Sequence, residues 1–266
     1  MAGTIRAGIG GWVFEPWRGV FYPKGLKQAD ELAYAAGRLT AIEINSTYYS
    51  SQKPESFAKW RAATPDGFVF SLKASRFCTN RKVLAEAGPS IEKFLNQGLS
   101  ELGDRLGPIV WQFMATKKFD PADFEAFLGL LPSSLDGLRL RHVMEVRHDS
   151  FVDPVFVDLC RRAGVAVCLA HHAEFPQIAD ATADFIYARL MGGSDDVPTC
   201  YPPAELDLWA ERFEAYAAGK SPPGLAYAAP AAAAPAKERD VFAFFISEGK
   251  VRAPAGAMAL IQRLGG

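Results

Sequence analysis

Short apolar runs alternate along the chain with longer segments in which apolar residues recur at helical spacing. The short runs predict buried strands, and apolar positions three and four apart predict amphipathic helices between them. The predicted strands are residues 5–10, 41–45, 68–73, 109–113, 142–147, 166–169, 185–190 and 241–246. The predicted helices are residues 30–37, 54–63, 89–103, 120–131, 153–163, 203–217 and 255–263. This alternation is typical of a parallel sheet, and eight strands predict one α/β domain over residues 1–266, a TIM-type (β/α)8 barrel.

Three segments depart from the regular pattern. Residues 170–184, after the sixth predicted strand, lack the apolar period of a full helix, so we expect an irregular or missing helix there. Residues 12–23 are rich in aromatic and turn-forming residues, which predicts a packed loop over one end of the domain. Residues 218–240 are rich in Ala and Pro and predict a flexible surface loop, which is either a tolerated insertion or a binding arm.

Polar residues stand at the C-terminal ends of several predicted strands. Strand alternation places Glu145 and Arg147 on one face, whereas Met144 and Val146 lie on the other. The polar residues at or near strand ends are Glu43, Asn45, Lys73, Gln112, Glu145, Arg147 and Arg189. In TIM-type barrels the C-terminal ends of the strands form the rim that carries the active site. We therefore expect these side chains to surround one pocket.

The residue types at this rim suggest acid/base chemistry on an anion. Glu43 and Glu145 are candidate catalytic carboxylates, and Lys73 is a candidate catalytic amine or a second cation. Arginine forks suit carboxylate or phosphate. The candidate substrate-binding residues are Trp12, Asn45, Tyr48, Gln112, Arg147, His148 and Arg189. The alternative is structural: Glu145 with Arg147, and Glu43 with Lys73, can be ion pairs that fill the barrel.

Composition narrows the range of partners. The chain has 266 residues, of which 49% are hydrophobic, which is typical of a globular protein. Its net charge of −1 gives no indication of binding to nucleic acid. No apolar run approaches the roughly 20 residues of a membrane span, and the N-terminus lacks a signal-peptide pattern. The cysteines show no CxxC spacing, which favours reduced thiols in a cytoplasmic protein. The expected partner is a small anion or a sugar-like molecule, and the oligomeric state has no signal in the sequence.

No cofactor and no metal are expected. Residues 8–11, Gly-Ile-Gly-Gly, are not a dinucleotide fingerprint, because the third glycine is misplaced and no helix follows directly. His148, His171 and His172 show neither HxH nor HExxH spacing. Lys73 and the two arginines of the same rim would repel a cation.

Several motifs resemble those of one protein family. They are GGW (10–12), WRGVFYP (17–23), EINSTYY (43–49), TP (64–65), FVFSLK (68–73), QF (112–113), EVRHDSF (145–151) and RL (189–190). In this order, and over nearly the whole chain, they resemble the YecE-like family, also called domain of unknown function 72. The resemblance implies a TIM-type barrel and supplies no activity. Where the family usually has Pro, Asp and Asn, this chain has Met114, His171 and Ser247, which implies a changed substrate or an impaired site.

Three functional hypotheses follow from the rim. The first is an enzyme that acts on a small anionic or polyhydroxylated substrate, such as a sugar phosphate, by acid/base chemistry at the strand ends. The second is a non-catalytic protein that binds a small anion or has a role related to nucleic acid. The third, by fold analogy alone, is a metal-dependent enzyme resembling isomerases or endonucleases.

Overall fold

The predicted barrel is confirmed in the computed structural model, which describes residues 2–230 and 237–265. Eight parallel strands each pair with their neighbour in the chain, and the last strand closes the barrel against the first. The strands are β1 (Ile5–Gly10), β2 (Ala41–Ile44), β3 (Val69–Lys73), β4 (Leu106–Gln112), β5 (His142–Glu145), β6 (Ala166–His171), β7 (Phe185–Gly192) and β8 (Asp240–Glu248). Closure runs from the pair Ile5 and Val241 to the pair Ile9 and Phe245.

Helices cover the outside of the barrel. They are α1 (Glu31–Ala36), α2 (Ser46–Tyr49), α3 (Pro54–Ala62), α4 (Arg76–Thr79), α5 (Gly88–Leu95), α6 (Pro121–Gly129), α7 (Pro154–Ala163), α8 (Pro203–Ala217) and α9 (Ala253–Arg263). The carboxylates of Asp120 and Asp153 accept hydrogen bonds from first-turn amides of α6 and α7, which fixes where these helices begin. Residues 172–184, after β6, contain no helix, as the sequence predicts. A hairpin of Ser134–Leu135 with Leu138–Arg139 precedes β5.

One predicted helix, residues 89–103, is interrupted. Helix α5 ends at Leu95, and a 3-10 segment, Leu99–Arg105, follows it. Between them Gly98 has a φ of 105°, and a Cβ atom there would lie 2.7 Å from the Cα atom of Pro54. The prediction of one continuous helix is wrong because α-helical and 3-10 segments both bury apolar residues every three or four positions. A break between them therefore leaves no mark on the apolar pattern.

The side chains that point into the barrel explain where the polar strand ends meet. An apolar cluster fills the interior and contains Ala41, Val69, Val110, Val143, Ala166, Cys168, Phe185, Tyr187, Phe242 and Phe244. Side chains two residues apart share a strand face. The next inward positions are therefore Glu43 on β2, Glu145 on β5 and Arg189 on β7. These charges lie inside the barrel, between the apolar cluster and the C-terminal rim.

The Ala/Pro-rich tract from 218 to 240 lies partly within the described residues. The carboxylate of Asp180 accepts hydrogen bonds from the amides of Ala228 at 2.7 Å and Ala229 at 3.2 Å. This part of the tract therefore packs against the segment that follows β6. Residues 231–236, the Ala-rich centre of the predicted flexible loop, lie outside the described residues.

Candidate functional site

Arg189 lies at the centre of a polar cluster inside the barrel. Its Nη1 atom donates to Oε2 of Glu145 at 2.6 Å, and its Nη2 atom donates to Oε1 of Glu43 at 2.8 Å. The three side chains come from β7, β5 and β2, and none is more than 2% exposed. Burial would lower the pKa of Arg189, but the two carboxylates outweigh burial and raise it. The guanidinium is therefore held in its charged form.

Within the described chain, Glu145 accepts hydrogen bonds from three side chains. Besides Arg189, the Nε and Nη2 atoms of Arg147 donate to Oε1 at 3.0 and 2.7 Å. The amide nitrogen of Gln112 lies 2.8 Å from Oε1 and 2.9 Å from Oε2. Burial raises the pKa of this carboxyl, but the charges of Arg189, Arg147 and Lys73 outweigh it and lower the pKa from 4.5 to about 2. Glu145 is therefore ionised at neutral pH.

Glu43 has a second donor besides Arg189. The hydroxyl of Tyr187 donates to its Oε2 atom at 2.6 Å. The same hydroxyl lies 2.8 Å from Oγ of Ser71, which lies 2.8 Å from the carbonyl oxygen of Pro108. Burial raises the pKa of Tyr187 well above its ordinary value, and so does the charge of Glu43, so the phenol stays protonated and can donate. The Glu43 carboxylate is thus fixed by partners on β7.

Lys73 differs from these charged residues because its amine has no polar partner in the part of the chain that the structure describes. Its Nζ atom has no hydrogen bond and no ion pair to any residue that the structure describes, and it lies 4.0 Å from the ring centroid of Tyr48. Burial lowers the pKa of this amine, the charges of Arg189 and Arg147 lower it further, and it falls from 10.5 to about 8. The ion pair between Glu43 and Lys73 is absent, since Glu43 pairs with Arg189.

A cavity of about 460 Å³ opens above this cluster at the C-terminal mouth of the barrel. We call it the mouth cavity. Trp12, Asn45 and Gly10 form part of its wall. Residue 10 packs so closely against Asn45 that a Cβ atom there would lie 2.9 Å from Nδ2 of Asn45, and glycine avoids this contact. No Asp or Glu of the described chain lines it. The cations that line it are Lys73, Arg147, Arg189 and Lys250.

The charges around the mouth cavity do not cancel. Among the described residues four cations line it, and the two carboxylates of the cluster, Glu43 and Glu145, lie buried beneath. The difference of four and two leaves two positive charges in excess when Lys73 is protonated. A cleft lined by one sign of charge concentrates ligands of the opposite sign. The mouth cavity therefore carries an excess of positive charge.

The structure brings most of the candidate residues together. Those in the cluster, on the cavity wall or packed against Lys73 are Trp12, Glu43, Asn45, Tyr48, Lys73, Gln112, Glu145, Arg147 and Arg189. His148 is separate from them. Its Nδ1 atom lies 2.9 Å from Oγ of Ser150 and accepts a hydrogen bond from the Ser150 amide at 3.1 Å. The ring therefore caps the 3-10 turn Asp149–Phe151 and does not line the mouth cavity.

Three further residues belong to the site and were not candidates. Tyr187 and Ser71 share strand faces with Arg189 and Lys73, so strand alternation carries the signal that could have found them. Lys250 lies in the turn after β8, where no periodicity marks it. Nε1 of Trp17 donates to the carbonyl oxygen of Lys250 at 2.8 Å, which fixes this turn beside the cavity.

The three departures from the family pattern have different positions. Met114 is 44% exposed. Nδ1 of His171 lies 3.0 Å from the hydroxyl of Tyr201, and neither residue lines the mouth cavity. Ser247 does line it and has a positive φ of 71°. Of the three, Ser247 is the one placed to contact a ligand in the cavity.

Metal-binding clusters and membrane helices are both missing from residues 2–230 and 237–265. Within those residues, no three His, Cys, Asp or Glu side chains are grouped so that they could hold a metal ion. No helix among them combines the length and apolar character needed to cross a membrane.

The chain matches one family model over nearly its whole length. The model described as "Protein of unknown function DUF72" matches residues 6–266. The UPF0759 protein YecE of Escherichia coli (strain K12) is 29% identical over 150 residues, which are 55% of this chain and 50% of that protein. The UPF0759 protein YecE of Escherichia coli O157:H7 shows the same values. The chain thus spans about half the length of the relatives it matches.

Solved structures have the same fold. A DUF72 family protein from Thermotoga maritima MSB8 has a TM-score of 0.74 and 20% identity, covering 99% of this chain and 100% of that one. A DUF72 family protein from Enterococcus faecalis V583 has a TM-score of 0.68 and 15% identity, covering 99% of this chain and 96% of that one. At these identities the likeness concerns the fold. The resemblance in the motifs is confirmed by the match over residues 6–266, and the chain belongs to the DUF72 family, which is the family of YecE-like proteins.

Proposed function

We propose that this DUF72 protein is an enzyme that acts on a small anionic or polyhydroxylated substrate in the mouth cavity, with Lys73 accepting or donating a proton. The observation that carries the proposal is the Lys73 amine, which lines the cavity, has no polar partner in the described chain and has a pKa of about 8. An acid/base group is most effective when its pKa lies near the working pH. At pH 7 about one amine in ten is neutral and able to accept a proton.

Glu43 and Glu145 support the site in this proposal, rather than acting as acid and base. With a pKa of about 2, the Glu145 carboxyl is protonated in roughly one molecule in 10⁵ at pH 7, which is too rare for a general acid. Both carboxylates accept hydrogen bonds from Arg189, and Glu145 also holds Arg147. Their role is to fix two guanidinium groups at the floor of the cavity.

The anionic part of the substrate is assigned to the cations of the cavity. The side chain of Arg147 is 24% exposed. Its Nε and Nη2 atoms donate to Glu145, whereas its Nη1 atom makes no hydrogen bond with any described residue. Nε of Arg189 is buried and lacks a hydrogen-bond partner in the same part of the chain. Free guanidinium donors favour carboxylate or phosphate oxygens. Trp12 offers a flat apolar wall, which suits a sugar-like ring.

The test is a ligand screen followed by turnover measurements on matched variants. Phosphorylated and polyhydroxylated metabolites are screened by thermal shift, and each hit is followed by NMR for product. Lys73→Met removes the amine at similar length, and we expect turnover to fall by about 10² or more while binding persists. Arg147→Gln is expected to weaken binding itself. A substrate that Lys73→Met converts at the wild-type rate contradicts the proposal.

A non-catalytic anion-binding protein is the second candidate. It is favoured by one observation: the two carboxylates expected to act as acid and base are both paired with Arg189. In that case compounds from the screen bind to the protein, Arg147→Gln weakens their binding, and none of them is converted to a product. No observation supports the nucleic-acid hypothesis, because the net charge is −1. None supports the metal hypothesis, because the described residues contain no group of side chains that could hold a metal ion.

A further inference from the structure

A second cavity, of about 450 Å³, lies beside the mouth of the barrel, at α2, α4 and α5. We call it the side pocket and define it by Tyr49, Ser75, Phe77, Arg81, Ser90 and Lys93. Tyr49 also lines the mouth cavity, so the two cavities are neighbours, but no cation of the described residues lines both. The function proposed for the mouth cavity does not use the side pocket.

The described part of the chain supplies no acceptor for two buried donor atoms of Arg81. Its Nε and Nη1 atoms are buried without a hydrogen-bond partner, and no carboxylate of the described chain forms an ion pair with it. A buried donor without an acceptor is destabilising, and a charged donor more so. Native proteins rarely keep such groups unless an ion, a water molecule or a ligand supplies the acceptor. An acceptor from outside the chain that binds in the side pocket would therefore satisfy the buried donors of Arg81.

The rest of the polar lining suits the same acceptor. Lys93 is exposed on α5 and adds a second positive charge, and no Asp or Glu among residues 2–230 and 237–265 lines the pocket. The hydroxyls of Ser75 and Ser90 make no hydrogen bond within that part of the chain. A guanidinium fork, an ammonium group and free hydroxyls are typical contacts of a tetrahedral oxyanion.

We propose that the side pocket binds a phosphate monoester, with Arg81 as the main donor to the phosphate group. Two aromatic residues favour an ester over free phosphate. Tyr49 is 64% exposed and Phe77 is 61% exposed, and both line the pocket. Exposed rings beside a cationic pocket provide an apolar surface for a flat organic group. The site does not depend on Lys73 or on any reaction in the mouth cavity.

The test is calorimetric titration of the full chain with phenyl phosphate and, separately, with inorganic phosphate. Arg81→Gln removes the proposed donor. Arg38→Gln is the matched control, because Arg38 is an exposed arginine after α1 that lines neither cavity. Arg147→Gln identifies any binding that belongs to the mouth cavity. We expect Arg81→Gln to remove one bound phenyl phosphate, or to weaken one class of sites by about tenfold or more, and Arg38→Gln to change nothing.

The remaining outcomes are equally decisive. The proposal is overturned if wild-type protein binds neither compound, if Arg81→Gln binds as wild type does, or if all binding is lost in Arg147→Gln. Equal affinity for phenyl phosphate and inorganic phosphate at the Arg81-dependent site overturns the assignment to an ester. If Arg81→Gln does not fold, Lys93→Gln replaces it, since Lys93 is exposed. That variant is expected to weaken the same site by about threefold, and unchanged binding contradicts the proposal.

Discussion

Replacing Glu145 by Gln removes one negative charge from the polar cluster while keeping the size of the side chain. Glu145 is 1% exposed and accepts hydrogen bonds from Arg147, Arg189 and Gln112. The variant leaves two guanidinium groups beside a neutral amide. One end of that amide is itself a donor and faces the donors that the carboxylate had satisfied. The change therefore costs stability through both lost attraction and unsatisfied hydrogen bonds.

The size of the effect follows from the pKa of Glu145. Its fall from 4.5 to about 2 is equivalent to about 3 kcal/mol of folding free energy. Removing one partner of a buried ion pair typically costs about 3–5 kcal/mol, which agrees. Because the folded-state pKa is depressed, this stabilisation is complete above about pH 4.5 and is lost as the pH falls through about 2.

Urea unfolding followed by tryptophan fluorescence measures this difference. At pH 7 we expect Glu145→Gln to lower the free energy of unfolding by about 3 kcal/mol, and we expect the gap to wild type to narrow as the pH approaches 2. Glu211→Gln is the control, because Glu211 is exposed on α8, and it should stay within about 0.5 kcal/mol of wild type. A loss below about 1 kcal/mol, or a gap that does not depend on pH, refutes the reasoning.

Two further predictions concern other parts of the barrel. Gly98→Ala places a Cβ atom at a φ of 105° and against α3, so we expect a loss of about 2 kcal/mol or more in urea unfolding. Gly129→Ala is its control, since a Cβ atom there meets nothing within 4 Å; equal midpoints for the two variants contradict the prediction. Tyr187→Phe removes the donor to Glu43, and we expect a loss of about 1–3 kcal/mol with unchanged circular dichroism. Wild-type stability in this variant would show that the hydroxyl contributes nothing.

The barrel and the inward faces of its strands could be predicted because both depend on local periodicity. Alternation along a strand places Glu145 and Arg147 on one face, and the two side chains are joined at 2.7 Å. The helix break at Gly98 could not be predicted in the same way. It depends on the contact of Gly98 with Pro54, which is distant in sequence and leaves no periodic signal.

The sequence also could not predict which charged side chains form ion pairs with each other. Glu43 and Lys73 lie on adjacent strands, yet Glu43 pairs with Arg189, which the closed barrel brings within 2.8 Å. Lys73 is left without a polar partner in the described chain for that reason. Which charges neutralise each other depends on distances across the barrel, and neither composition nor spacing along the chain contains those distances.

Residues in loops were predicted least well. His148 follows a strand end, as other candidate residues do, but its ring forms hydrogen bonds with Ser150 two residues later. Lys250 lines the mouth cavity from a turn held by Trp17, a contact between the first and last parts of the chain. Loop positions have no periodicity, so only tertiary contacts decide which of them reach the site.

The Lys73 amine has no polar partner in the described chain and lines a cationic cavity above paired carboxylates, and its pKa tests this arrangement most directly. Competitive acylation over a range of pH, quantified by mass spectrometry, gives the pKa of this amine in intact protein. We expect about 8 in wild type, a lower value in Glu145→Gln, which loses a negative neighbour, and a higher value in Arg147→Gln, which loses a positive one. A wild-type value near 10.5, or one value in all three proteins, contradicts this arrangement.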